Sequence, residues 1–275
     1  MTIPKGLHRI KDAEYFAIDL PSSSATKTLL TQTNAHLAYK RANPQSDDSP
    51  ALAIGALVHA IVLQPESIVE DFIRVGRIDR RTKEGKAEWE AVQKRAALNG
   101  SRILTDDEWR EAEAIADGVL QGPSIARALL GSLTDREVTV IGEIDGKPAK
   151  AKMDGLVIDP RDNSVVVVDL KTAQDASPSA FTSACARFGY AHQQAWYSAL
   201  LESLGYDVTD FVFVAVEKTA PHLTALYRID DFAIEVARKK MINLCRRWWQ
   251  VSEGNNEGYP QVISTVEMPK WWLND

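Results

Sequence analysis

The sequence predicts an α/β protein in which a helical N-terminal part precedes a core of strands and helices. Three observations carry that expectation. Stretches rich in Ala, Leu and Glu, bounded by helix start and stop signals, fill roughly the first 130 residues. Three strand-like runs, "EVTVIGEI", "KPAKAKMDGLVI" and "SVVVVDLKT", then follow one another across short polar turns. A long helical region, two further apolar runs and an amphipathic closing segment complete the pattern.

A chain of 275 residues suffices for one large domain or two small ones. It reads as one domain over 1–275, with a mainly helical part over 1–130, a core over 131–251 and a tail over 252–275. With 45% hydrophobic and 25% charged residues, the composition is that of a soluble globular protein. No run approaches the roughly 20 apolar residues of a membrane span. The opening "MTIPKGLHRIKDAEYF" lacks the apolar core of an export signal, so a cytoplasmic protein is expected. Cys185 and Cys245 are too few for a four-cysteine cluster and read as reduced thiols. The net charge of −6 weighs against a nucleic-acid partner without excluding one, because the local field decides binding.

In chain order, Ser22, Ser23 and Ser24 are candidate caps for a helix over "SATKTLLTQTNAHLAYKRA". The polar loop "NPQSDDSP" leads to "ALAIGALVHAIVL", a helix stopped at Pro65. The basic, Gly-containing "RRTKEGK" reads as an exposed loop before a helix ending near Gly100, and Thr105 caps "DDEWREAEAIADGVL" with acidic residues in its first turn. A short helix near 124–130 follows. The three runs are joined by an Asp145-Gly146 turn and by "DPRDNS", and read as consecutive antiparallel strands. Ser177-Pro178 starts a helical region to about Leu204 with a break at Gly189. "DFVFVAVEKT" is a fourth, interior strand, "LTALYRI" a fifth, and the segment from Asp230 to Gln250 an amphipathic helix.

The chemistry concentrates in the three runs. Side chains alternate along a strand, so Asp169 and Lys171 share a face where the valine-rich strand ends, while Leu170 points the other way. Hairpin geometry places Asp154 beside Asp169, with Glu137, at the start of the first of the three strands, close by; Glu143, on that same strand, competes with it. Two or three carboxylates at one point repel unless a hard cation such as Mg²⁺ or Mn²⁺ neutralises them. A structural ion pair of Asp169 with Lys171 is the bland alternative.

"MDGLVI…VVVVDLKT" resembles the PD-(D/E)xK nuclease signature, with Met153 in place of its often-missing proline. Gly55 and His59 in "IGALVHAIVLQPE" resemble the Gly-x-x-x-His helix of the RecB-like branch, and Gln193 and Tyr197 in "YAHQQAWY" its Gln-x-x-x-Tyr motif, with Gln194 as a neighbouring alternative. From "SSSATKTLL" through "RRTKEGKAEW" and "FVFVAVEKTAP", nearly the whole chain is similar to the RecE (exonuclease VIII) nuclease domains of prophage recombination systems.

That resemblance implies a restriction-endonuclease-like core, a mixed central sheet flanked by helices. It implies that His59, Asp154, Asp169 and the main-chain carbonyl of Leu170 ligate Mg²⁺, with Mn²⁺ able to substitute. Glu137 assists through water or a second ion, Lys171 is the catalytic lysine, and Gln193 and Tyr197 position the substrate strand or brace that lysine. It further implies degradation of linear double-stranded DNA from its ends, 5′ to 3′, for phage-type recombination. A single-strand annealing protein would be the partner, and a ring-shaped homo-oligomer such as a tetramer the assembly. Arg77, Arg80, Arg81, Lys83 and Lys86 form the dense basic tract suited to DNA phosphates. Iron–sulfur nucleases carry four cluster cysteines, which two cannot supply. An endonuclease on the same core and a catalytically silent DNA-binding recombination scaffold are the alternatives.

His8, His36, His192 and His222 read as structural, as does Glu217-Lys218. Trp248-Trp249 and Trp271-Trp272 read as packing residues of the last helix and tail.

Overall fold

A six-stranded mixed sheet runs between two helical layers in the computed structural model, which describes residues 3–44, 49–268 and 272. Strand β1 (Gly6–His8) and helix α1 (Asp12–Ala17) open the chain. Helix α2 (Ser23–Thr26) runs into a 3-10 turn (Lys27–Leu30), and α3 (Asn34–Ala42) and α4 (Pro50–Leu63) follow. Next come α5 (Ile68–Asp71), β2 (Phe72–Val75), α6 (Lys83–Asn99), β3 (Arg102–Thr105), α7 (Asp106–Leu120) and α8 (Ser124–Gly131). The meander is β4 (Asp135–Ile144), β5 (Lys147–Ile158) and β6 (Ser164–Ala173). Helices α9 (Pro178–Phe188) and α10 (Tyr190–Ser203), strands β7 (Asp207–Glu217) and β8 (Thr224–Tyr227), and α11 (Asp231–Ser252) complete the fold.

The strand order is β1-β4-β5-β6-β7-β8. The meander pairs antiparallel as the turns require, whereas β6 and β7 pair parallel because α9 and α10 carry the chain back before β7 begins. Strand β7 is interior, one in from the edge strand β8. One sheet face buries Val138, Val140, Met153, Val167 and Phe213 against Trp196 and Leu200 of α10 and Met241 of α11. The other buries Val168, Leu170, Val214 and Val216 against Leu57 and Val58 of α4 and Ile115 and Val119 of α7. Helices α4 and α7, which the sequence placed in an N-terminal elaboration, thus form one layer of the sheet's own core. No helix among the described residues is long and apolar enough to cross a membrane.

The expected helix over 24–42 is broken. Ser22 caps α2, but Thr33 starts a new helix, forming a capping box with His36, and a polar Thr-rich stretch separates the two. Strands β1, β2 and β3 and helix α1 were not read from the sequence, being too short to show a period. The α9–α10 break falls at Gly189, whose φ of +69° is the left-handed conformation that glycine adopts without strain. Trp248 packs against Leu29 and Leu37 beneath the Arg41 guanidinium, as a packing residue should; Trp271 lies outside the described residues.

The sheet opens at one place. Strands β5 and β6 are bonded only from Gly155↔Val168 to Ile158↔Val165. Toward Asp154 and Asp169 the ladder stops; β5 continues only with β4 and β6 only with β7. Alternation also fails there, since Met153 and Leu156, three residues apart, lie in the same core layer. The two strands therefore diverge like a fork at the Asp154 level.

Gly142 sets the distance between β4 and α10: a Cβ there would stand 2.6 Å from Ser203 Oγ and 2.9 Å from the Leu200 carbonyl oxygen. Gly142→Ala is expected to lose about 1–3 kcal/mol of stability, measured by urea unfolding, because the helix must move off the strand.

Candidate metal centre

The fork brings together groups from both helical layers. From the α4 side, His59 reaches down so that its Nδ1 lies 3.5 Å from Asp154 Oδ2 and 3.9 Å from Glu137 Oε1. Ligand atoms of His59, Glu137 and Asp154 all lie within 4.8 Å of one another. From the α10 side, Gln193 spans the Asp-x-Lys pair. Its Nε2 donates to Asp169 Oδ1 at 2.6 Å, and its Oε1 accepts from Lys171 Nζ at 3.1 Å. Only this amide orientation suits a carboxylate on one end and an ammonium on the other. Lys171 also pairs directly with Asp169 Oδ2. Asp154 sits between the two sets and accepts the Leu170 backbone N–H at 2.7 Å. Its carboxylate thus takes the place of the ladder partner that Leu170 loses where β5 turns away.

Each position has a local cause. His59 is one turn beyond Gly55, and Gly55 lies against Thr172 of β6, where a Cβ would meet Thr172 Oγ1 at an ordinary 3.5 Å. Glu137 stands opposite Asp154 in the β4–β5 register, between the pairs Arg136↔Gly155 and Val138↔Met153. Its φ of +48° is left-handed, a conformation that costs a non-glycine residue about 1–2 kcal/mol. Such strain persists only where surrounding contacts hold it, and it clusters at functional sites. Tyr197, one turn after Gln193, donates its hydroxyl to the Lys152 carbonyl at 2.8 Å and so ties α10 to β5. The structure sets Gln193 rather than Gln194 at the Asp169–Lys171 pair. Glu143 is at the far end of β4, ion-paired with Lys5.

Electrostatics are balanced in an unusual way. Two carboxylates within 4.8 Å repel by roughly 3 kcal/mol at the effective dielectric of such a site. Burial pushes the Asp169 carboxyl up to about 6, against the pull of Lys171 and with a further push from Asp154. Glu137 is likewise raised, by burial and by Asp154, with Lys152 and His59 opposing. Asp154 goes the other way: burial would raise it, but His59, Lys171 and the Leu170 N–H together hold it below the usual range. Burial would lower His59 and Lys171, yet the surrounding carboxylates outweigh it and raise both. Three carboxylates therefore face two ammonium groups, Lys152 and Lys171, and the His59 imidazole, whose proton they favour. The donor set of one imidazole and hard carboxylate oxygens fits a divalent cation such as Mg²⁺ or Mn²⁺.

Two members of the site were not singled out from the sequence. Lys152 pairs with Glu137 Oε2 at 3.2 Å and with Asp12 of α1. Lys27 lies close enough for Lys171, after burial, to lower its pKa. Lys152 was legible in principle, being two residues before Asp154 on one strand. The basic tract is not joined to the cluster by any hydrogen bond or ion pair among the described residues. All five side chains are exposed. Arg81 pairs with Asp79, and Arg80 lies 3.9 Å over the Trp89 ring. His192 holds the structural role expected of it, its Nε2 3.0 Å from the Thr26 hydroxyl.

Residues 22–261 match the family described as a PDDEXK-like domain of unknown function (DUF3799). No curated protein matches the chain. Among solved structures, that of a "putative exonuclease" from Eubacterium rectale is similar over 97% of this chain and 98% of that one, with a TM-score of 0.60 at 14% identity, a likeness of fold. A phage-related exonuclease from Haemophilus somnus 129PT matches at a TM-score of 0.30 and 12% identity, over 62% of this chain and 84% of its own.

Two outcomes are expected from the charge balance. A raised carboxyl disfavours the fold only once ionised, so metal-free Glu137→Gln should melt about 2–4 °C above the parent at about pH 8 in EDTA. The gain should vanish by calorimetry at about pH 4, where both side chains are neutral. A cation must displace protons from His59 and from Asp169, which titrates at about 6, so Mn²⁺ affinity should rise about fortyfold or more between about pH 5.5 and 7.5. Titration calorimetry in two buffers checks this through the protons released.

Proposed function

The chain belongs to the family of PDDEXK-like domains, and from that membership and the geometry of the fork we propose that it is a divalent-metal-dependent exonuclease of linear double-stranded DNA. The observation that carries this reading is the braced Asp169–Lys171 pair standing beside His59, Glu137 and Asp154 at one opening of the sheet. His59, Asp154, Asp169 and the Leu170 carbonyl would hold Mg²⁺ or Mn²⁺, and Glu137 would serve through water or a second ion. A cation there polarises the scissile phosphate and lowers the pKa of a bound water.

The remaining chemistry belongs to the side chains. Lys171 is kept protonated by Asp169 and Asp154, so it acts as a charged donor rather than as a general base. It orients the attacking water and stabilises charge that grows on the phosphate. Gln193 fixes both ends of that pair, and Tyr197 fixes β5 through its backbone, so neither has to touch the substrate to matter. Lys83 and Lys86 lie in the first turn of α6, where the helix dipole already repels cations. An arriving DNA phosphate relieves that repulsion, which favours Arg77, Arg80, Arg81, Lys83 and Lys86 as backbone contacts. Degradation 5′ to 3′, delivery of a 3′ strand to an annealing protein in phage-type recombination, and a ring-shaped homo-oligomer belong to the same proposal and rest on the sequence resemblance.

End-labelled linear duplex and covalently closed circular DNA, each incubated with Mg²⁺ or with EDTA, test it. Loss of the linear DNA alone is expected, abolished by EDTA and slowed about a hundredfold or more in Lys171→Ala. The position of the surviving label reports polarity. Cutting of the circle would make the protein an endonuclease. No metal-dependent loss of either DNA would leave a DNA-binding scaffold on a nuclease fold.

A further inference from the structure

We propose that Lys152 is a positioning residue of the metal centre, holding Glu137 in place for the cation, and that Asp12 of the N-terminal segment sets how much of its ammonium Glu137 receives. The inference rests on the reading of the fork as a divalent-cation site and adds to it two residues to which that reading gives no role.

Glu137 needs such a partner. It occupies a left-handed backbone conformation in the middle of a strand, and its side chain is only 15% exposed. A strained, buried carboxylate keeps one orientation only if contacts fix it. His59 meets Glu137 Oε1 at 3.9 Å, beyond hydrogen-bond length, whereas Lys152 meets Oε2 at 3.2 Å. Lys152 is itself fixed. Its backbone carbonyl accepts the Tyr197 hydroxyl, and it stands opposite Thr139, two residues along from Glu137.

Asp12 is the second claimant on the same ammonium. It pairs with Lys152 and lies 3.8 Å from Arg102 of β3. The segment that carries Asp12 is clamped to β5 two residues from Lys152. The Lys150 ammonium donates to the Tyr15 carbonyl at 2.7 Å and the Ile18 carbonyl at 2.6 Å, and lies 4.3 Å over the Tyr15 ring. The Lys150 backbone N–H donates to the Pro21 carbonyl at 2.9 Å. Lys150 and Lys152 thus hold the N-terminal segment over the centre, one by its backbone and the other by its first helical side chain. When a cation takes up Glu137, Lys152 retains Asp12 as a counter-charge and is not left as an unpaired ammonium in a half-buried position.

Simple electrostatics and positioning make opposite forecasts. Removing a positive charge beside a cation site should tighten cation binding. Removing a residue that holds a ligand in place should weaken it. Mn²⁺ binding to the full-length protein, read by the loss of free-ion electron paramagnetic resonance signal at about pH 8, therefore decides the matter. Lys152→Met is expected to weaken binding about tenfold, Lys152→Arg by no more than about threefold, and Lys152→Met with Glu137→Gln no further than Glu137→Gln alone. Should Lys152→Met fail to fold, Asp12→Asn at the half-exposed position replaces it. Its expected loss of about threefold must disappear in the Glu137→Gln background. Unchanged or tighter binding by Lys152→Met, or losses that add in full with Glu137→Gln, would overturn the inference while leaving the metal site intact. An unaffected Asp12→Asn, or a loss that persists without Glu137, would likewise remove Asp12 from it. A parent protein that binds no Mn²⁺ would overturn both this inference and the functional reading on which it rests.

Discussion

The β5–β6 ladder ends at Gly155↔Val168, and the geometry of the site depends on that termination. Had the pairing continued, Asp154 and Asp169 would stand side by side on a closed sheet, with one helical layer above and one below. Because it stops, Asp154 swings its carboxylate onto the Leu170 N–H, and a gap opens where His59 from α4 meets Asp154 while Gln193 from α10 holds the neighbouring Asp169. A sheet interior normally separates its two faces. Here the divergence of two strands joins them, and only there can an imidazole from one layer and a braced Asp-Lys pair from the other serve one centre.

Two carboxylates converging on one point, Glu137 and Asp154, with Asp169 beside them, require positive charge. The protein supplies it from Lys152 and Lys171 and, when protonated, from His59, all three of which the carboxylates raise against the effect of burial. The three do not play the same part. His59 can yield its proton and become a ligand, Lys152 has Asp12 as an alternative partner, and Lys171 remains with Asp169 and Gln193 where a reacting phosphate would meet it. Rigidity comes from the surrounding packing. Trp196 and Tyr197 bond to the backbone of β5, and Gly142 lets α10 lie close on β4.

Much of this was legible in the sequence, for identifiable reasons. The meander was readable because its strands are long, alternate or run in valines, and are joined by Asp-Gly and Asp-Pro turns. Asp154, Asp169 and Lys171 followed from strand alternation and hairpin register alone. His59, Gln193 and Tyr197 needed the resemblance, since a histidine on an apolar helix and a glutamine on a buried one have ordinary structural uses. The fork itself was not legible, because where a ladder stops depends on tertiary packing that no local period records. The short strands β1 to β3 escaped for lack of length. Lys152 and Asp12 escaped because their pairing spans 140 residues of chain. The helix expected over 24–42 failed because Thr33 is as good a cap as any of the serines before it.

The most direct measurement is the anomalous diffraction of crystals soaked in Mn²⁺. A peak bonded at about 2.0–2.3 Å to the His59 imidazole and to the Asp154 and Asp169 carboxylates, within the divergence of β5 and β6, is the predicted result. Absence of a peak there, or manganese bound only to surface carboxylates while Lys171 and Asp169 remain paired, would contradict the assignment of the fork as a metal centre and leave its charges as structural ion pairs.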